Sequence, residues 1–161
     1  ADGKLQVTFA GDKITVTYKD LTDDWGNTIT ISKTVSFLTG AVTISTDTTW
    51  TLDKSPYVFS VDVIATEGAT LTIEPGVEVK FLAGTDDSEG GFYSSLSELI
   101  VKGNLKAIGT PNNRITFTSD ADSPASGDWG YIGFVNFFGP STIQYCDIKF
   151  ADRGNVVILI Q

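Results

Sequence analysis

The segment Leu71-Thr72-Ile73-Glu74-Pro75-Gly76-Val77-Glu78-Val79-Lys80-Phe81 decides the fold. It holds two short runs with an apolar residue at every second position: Leu71 and Ile73, then Val77, Val79 and Phe81. Period-two alternation marks a strand with one buried face, and Pro75-Gly76 between the runs marks a corner. The segment Leu99-Ile100-Val101-Lys102-Gly103-Asn104-Leu105-Lys106-Ala107-Ile108-Gly109 has the same form. Aligned on it, Leu71 matches Leu99, Ile73 matches Val101, Val77 matches Leu105 and Val79 matches Ala107. Another strand, Ile115-Thr116-Phe117, follows the corner Pro111-Asn112-Asn113. Tyr131-Ile132-Gly133-Phe134 begins a further turn of the chain, continued by residues 142–150 and 156–160. Short strands, tight corners and in-register repeats predict a solenoid, whose rungs bury their inward faces only against one another.

Two loops interrupt the repeat, residues 83–97 and 120–129. Insertions in a solenoid belong at corners and extend outward, so binding would be sought there. Ahead of Pro56 the pattern is hairpin-like. Leu5, Val7 and Phe9 share one face, Ala10-Gly11-Asp12-Lys13 turns the chain, and Ile14, Val16 and Tyr18 share a face of the return strand. This alternation around a Gly-Asp turn predicts a β-hairpin. Residues 19–27 read as a polar loop, followed by strands around Ile29–Ile31, Val35–Leu38, Val42–Ile44 and Thr48–Leu52. No amphipathic helical stretch of three turns is present.

Composition agrees with an all-β chain. Of 161 residues 41% are hydrophobic, enough for a real core, and 16 are glycine, as tight turns require. The net charge of −9 repels phosphate, which argues against nucleic acid and anionic membrane as partners. No apolar run approaches membrane-spanning length, so membrane insertion is not expected. Cys146 is the single cysteine, so no disulfide forms within the chain. It alternates with Ile148 and is expected to pack as a small apolar residue. Histidine is absent, which removes the commonest general base.

The strings Asp47-Thr48-Thr49-Trp50, Ser55-Pro56-Tyr57 and Gly68-Ala69-Thr70 leading into Leu71–Phe81 resemble the entry rung of a known family. Val101-Lys102-Gly103-Asn104-Leu105, Arg114-Ile115-Thr116-Phe117-Thr118-Ser119 and Gly127-Asp128-Trp129-Gly130-Tyr131-Ile132 continue the match. The resemblance, over about residues 47–161, is to right-handed parallel β-helix domains of the pectate-lyase-like superfamily in bacterial and archaeal secreted or cell-surface proteins. It implies an extracellular or cell-surface location. That superfamily holds lyases, adhesins and passive spacers, so the fold alone does not select a function. The expected organisation is a small antiparallel sheet or hairpin in residues 1–45, a candidate strand-exchange segment, and a short parallel β-helix in residues 46–161.

Three kinds of side chain are candidates for function. Asp86, Asp87 and Glu89 on the first loop, with Asp120, Asp122 and Asp128 on the second, are the expected metal ligands. Clustered carboxylates on loops suit calcium, which takes six to eight oxygens. Asp20, Asp23 and Asp24 form a third acidic group. None fits an EF-hand loop, and the bland reading is solvated loop tips. Catalysis is not expected: Arg114 and Arg153 read as corner residues, and the outward Lys80, Lys102 and Lys106 are not grouped with acids in a repeatable way. Aromatic residues are the third kind. Phe134 follows the inward parity of Ile132. Phe137 and Phe138 are adjacent and cannot both point inward. Phe92 and Tyr93 lie on the first loop.

Val156-Val157-Ile158-Leu159-Ile160 is five apolar residues without charge or proline. Such a run packs inside the chain, pairs with another chain, or continues into further rungs. With Leu5, Val7 and Phe9 it forms the expected assembly interface. The function expected from these features is a non-catalytic structural subunit that joins other copies of itself into a filament by end-to-end strand pairing. The alternatives are a glycan-binding adhesion module of a larger surface protein and, less favoured, a fragment of a polysaccharide lyase.

Overall fold

The structure, a computed structural model, describes residues 4–10, 13–22, 28–36, 40–88, 91–135, 139–152 and 156–159. The chain divides into two compact units, Ala1–Thr39 and Gly40–Gln161.

The first unit is a three-stranded antiparallel sheet of β1 (Lys4–Ala10), β2 (Lys13–Thr22) and β3 (Thr28–Ser36), in that order. Leu5 pairs with Tyr18, Val7 with Val16 and Phe9 with Ile14, the register of the predicted hairpin. Two features differ from the sequence reading. Strand β2 runs on through Thr22, with a register shift between Tyr18 and Leu21, so the polar loop begins later than Lys19. The strands expected at Ile29–Ile31 and from Val35 are one strand through Ser36, because β2 is long enough to pair along it past Lys33, which interrupts the apolar alternation; Phe37 and Leu38 lie outside the described residues.

The second unit is built from three parallel sheets. Their strand orders are β16-β13-β10-β7-β4, β14-β11-β8-β5 and β15-β12-β9-β6. The first rung is β4 (Val42–Ile44), β5 (Thr48–Trp50) and β6 (Tyr57–Phe59). The second is β7 (Val63–Ala65), β8 (Thr70–Ile73) and β9 (Glu78–Phe81). The third is β10 (Leu99–Val101), β11 (Asn104–Ile108) and β12 (Ile115–Ser119). The fourth is β13 (Ile132–Val135), β14 (Thr142–Gln144) and β15 (Cys146–Ile148), and β16 (Val156–Leu159) opens a fifth. Each strand pairs with the one a full turn away, which is a short parallel β-helix. It begins at Val42, because β4 pairs in parallel with β7 through Val42–Val63 and Ile44–Ala65.

The corners follow from residue type. Val77 N donates to Glu74 O across Pro75-Gly76, and Gly76 has φ +84°. Proline presets the second position of a type II turn, and glycine takes the positive φ of the third. Neighbouring rungs also complete each other's corner hydrogen bonds. Thr70 N donates to Asp47 Oδ1, Glu78 N to Ser55 Oγ and Leu105 N to Ser141 Oγ. A buried main-chain amide needs an acceptor, so these short polar side chains hold each rung to the next.

The stacking register differs from the sequence alignment. Leu71 lies beside Leu105 and Ile73 beside Ala107, while Leu99 lies between Val63 and Ile132. The two similar segments occupy successive faces of the helix. All three faces use the same inward pattern, so strand similarity alone does not separate them. Inside, Trp50 stacks on Tyr57 at 5.0 Å and on Phe59 at 5.3 Å, Phe59 meets Phe81 at 6.0 Å, and Phe81 stacks on Trp129 at 4.6 Å. Phe134 is buried, as its parity with Ile132 requires.

Phe81 and Trp129 are fully buried, so this ring column joins the first rung to the entry of the fourth. Phe81→Ala is expected to cost about 3–5 kcal/mol. Val58→Ala, at a 44% exposed position, should stay within about 0.5 kcal/mol. Urea midpoints of the two variants against the parent check both values.

Candidate functional site

The strands place two buried carboxyls inside the solenoid wall. Val63, Leu99 and Ile132 share a register row, so the residues just before them, Asp62, Glu98 and Tyr131, form a column at that corner. Asp62 and Glu98 are fully buried, and Tyr131 is only 4% exposed. Two acids stacked in an apolar wall cost free energy unless they are bonded or protonated.

Their bonds come from the first insertion. Glu98 N donates to Asp62 Oδ1 at 2.8 Å, which links one rung to the next. Phe92 N donates to Glu98 Oε2 at 2.6 Å, and Tyr93 N makes a longer bond to the same oxygen at 3.4 Å. Ser88 Oγ accepts from Asp62 N, and its one proton faces Asp62 Oδ2 at 3.1 Å and Asp86 Oδ1 at 2.8 Å. Tyr93 Oη donates to Asp152 Oδ2 at 2.7 Å, and its ring meets Tyr131 edge-on. The loop is thus seated on acids rather than on apolar contacts.

Two glycines leave the space that Glu98 fills. A Cβ on Gly91 would overlap Glu98 Oε2 and lie 2.9 Å from Asp62 Oδ2. A Cβ on Gly130 would lie 2.5 Å from Glu98 Cγ. The carboxyl is held from both sides. Burial pushes the Glu98 carboxyl above its usual range; the Phe92 and Tyr93 amides oppose this, the Asp62 charge adds to it, and Tyr131 opposes it. Among the described residues, Glu98 Oε1 and Asp86 Oδ2 are buried without a hydrogen-bond partner.

The residues expected to hold metal are scattered. Asp86 belongs to the Ser88–Asp62 network, and Asp87 is exposed beside it. Asp120 pairs with Lys80 at 3.2 Å. Asp128 caps its own turn by accepting from Ala125 N, and Asp122 is exposed. Glu89 lies outside the described residues, as do Asp23, Asp24, Phe137, Phe138 and Arg153. Asp20 lies in strand β2. Among the described residues no group of three or more acids, cysteines or histidines is placed to hold a metal ion. Arg114 sits at a corner, bonded to Asp147 Oδ1 and the Cys146 carbonyl. Cys146 is half-buried against the core, and burial raises its thiol pKa, which leaves it unreactive.

The expected assembly residues divide between the two units. Leu5, Val7 and Phe9 lie on β1, an edge strand of the antiparallel sheet. Val156, Val157, Ile158 and Leu159 form β16, which pairs in parallel with β13 of the same chain. Ile160 lies outside the described residues.

A family model for the pectate-lyase-like β-helix domain matches residues 42–144. The chain belongs to this family. The match starts at β4 and ends in β14, so it spans the stacked rungs and the acid column. No curated protein and no solved structure matches the chain. Asp62 and Glu98 were missed in the sequence, although each stands directly before a strand of this β-helix. The correct rung alignment would have put them in one column.

Gly91→Ala tests the fit around Glu98. The new methyl meets a carboxylate that Gly130 prevents from retreating. The expected loss is about 1–3 kcal/mol, the range for overpacking a filled site. Calorimetry should show the lower melting temperature, and limited proteolysis should show faster cleavage near Phe92.

Proposed function

We propose that this β-helix is a non-catalytic structural module of the cell exterior that lengthens by end-to-end strand pairing with other copies of itself. One observation carries the reading. Strands β14 and β15 are edge strands of their sheets, and their inward residues Ile143, Cys146 and Ile148 pack on the core yet are only half-buried. One rung below, Ala107, Ile115 and Phe117 are fully buried. A further rung would complete the burial of the fourth.

The opposite edges, β4, β5 and β6, offer strands of the same direction and the same three-sheet spacing. Joining one end to the other uses two different surfaces, and such contacts continue without closing. Two further points favour a structural role. The buried acids are engaged by loop amides and a serine, apart from Glu98 Oε1. Lys80, the outward lysine nearest to acids, is engaged with Asp120 and Glu78. Among the described residues no helix is long and apolar enough to cross a membrane.

The main-chain groups of Ile148 face the open edge, because Lys149 N already donates inward to Phe117 O and strand residues alternate. Ile148→Pro therefore removes an amide directed at an incoming strand. The parent protein is expected to show growing particle size by light scattering and fibres in micrographs. Ile148→Pro should retain the parent far-UV circular dichroism and remain monomeric. A parent chain that stays monomeric at high concentration, or a proline variant that assembles equally well, contradicts the proposal.

A further inference from the structure

We infer that Asp62 and Glu98 share one proton in the closed protein at acidic pH, and that the Gly91–Tyr93 backbone is a clamp over this pair whose hold weakens as pH rises. Both carboxyls are fully buried. They flank one point in space, since a Cβ on Gly91 would touch Glu98 Oε2 and lie 2.9 and 3.0 Å from the two Asp62 oxygens. Two like charges so placed repel in the interior, so one carboxyl keeps its proton to a higher pH than it would alone.

Glu98 takes the proton. The Asp62 oxygens receive Glu98 N and face the Ser88 hydroxyl. Glu98 takes the loop amides on Oε2, the Tyr131 hydroxyl also bonds its carboxyl, and its Oε1 is buried without a partner among the described residues. The groups facing Glu98 are Asp62 from the corner before β7, Tyr131 from the residue before β13, and the Phe92 and Tyr93 amides from the loop. Asp86 approaches through Ser88, while the Tyr93 hydroxyl is turned to Asp152. Among the described residues, none of the groups acting on Glu98 is a lysine or arginine.

Opening the clamp lets water reach Glu98, which then ionises near the ordinary value of 4.5. The closed form holds the proton more tightly than the open form, because burial raises the closed-state pKa. Closure is therefore fully favoured below about 4.5 and is lost progressively as pH rises toward the closed-state value. Within that window the opening constant climbs by up to about tenfold per pH unit, the limit for release of one proton.

Amide hydrogen exchange on the full chain between about pH 4.5 and pH 8, with rates divided by the intrinsic rate at each pH, reads this directly. Protection at Phe92 and Tyr93 should fall as pH rises, while Leu71 and Val79 in the core stay constant. Glu98→Gln is neutral at every pH and nearly isosteric, and should flatten the dependence. Asp62→Asn removes the neighbouring charge and should make it shallower. Protection that is flat or increases with pH in the parent overturns the inference, as does an unchanged slope in Glu98→Gln. Full restoration of protection at pH 8 by about 10 mM calcium, above the weakest range of extracellular calcium sites, also overturns it, because a cation would then be the missing partner.

Discussion

A rung of this solenoid cannot bury its own inward face, and everything else in the second unit follows from that constraint. Leu71 is dry because Leu105 stacks beside it, and Val79 because Tyr57 and Phe117 flank it. Main-chain pairing fixes the rung spacing, and the spacing brings inward side chains into contact in columns. The columns balance volume: Trp50, Ile73, Ala107 and Ile143 follow one another along one row, a large residue standing near a small one. The ring column from Tyr57 to Trp129 crosses between sheets and ties the faces together. Such stacks are stabilised mainly by nearest neighbours, so an end rung is necessarily the weakest.

The acid column puts the only buried acidic residues among the described residues into a largely apolar wall. Buried carboxyls are poor sources of net stability, but they specify geometry because their acceptors must be met by donors in fixed positions. Here those donors are the Phe92 and Tyr93 amides, the Glu98 amide and the Ser88 hydroxyl. The first insertion is thereby seated by polar bonds that depend on protonation. An apolar seat would hold it equally at any pH. The second acidic loop is seated through main chain instead: Gly127 N and Asp128 N donate to Phe150 O, while Asp120 meets Lys80 on the surface and Asp128 caps a local turn.

Much of the fold was legible in the sequence. Alternation in Leu71–Phe81 and Leu99–Gly109, with corners at Pro75-Gly76 and Pro111-Asn112-Asn113, gave strands and turns where they occur. Register was not legible, because Leu-Thr-Ile, Val-Glu-Val and Leu-Ile-Val satisfy the same inward pattern on different faces. Only partner strands distinguish them. The acid pair was hidden for the same reason. Val61-Asp62-Val63 and Ser97-Glu98-Leu99 look like ordinary polar interruptions until β7 and β10 are laid side by side. The loop acids are dense enough in sequence to suggest ligands, yet Asp86 turns to Ser88, Asp120 to Lys80 and Asp128 to Ala125. The apolar run at 156–159 proved to be a strand of the stack, paired with β13.

The account as a whole depends on rungs that protect one another and on a fourth rung left half-covered. Native-state hydrogen exchange, resolved by rung and followed with protein concentration, tests this most directly. At low concentration the amides of β8, β9, β11 and β12 should exchange slowest and those of β14 and β15 markedly faster. As concentration rises, β14 and β15 should approach the protection of β11 and β12. Equal protection of all rungs in dilute solution, or a concentration series that leaves β14 and β15 unchanged, would contradict the account.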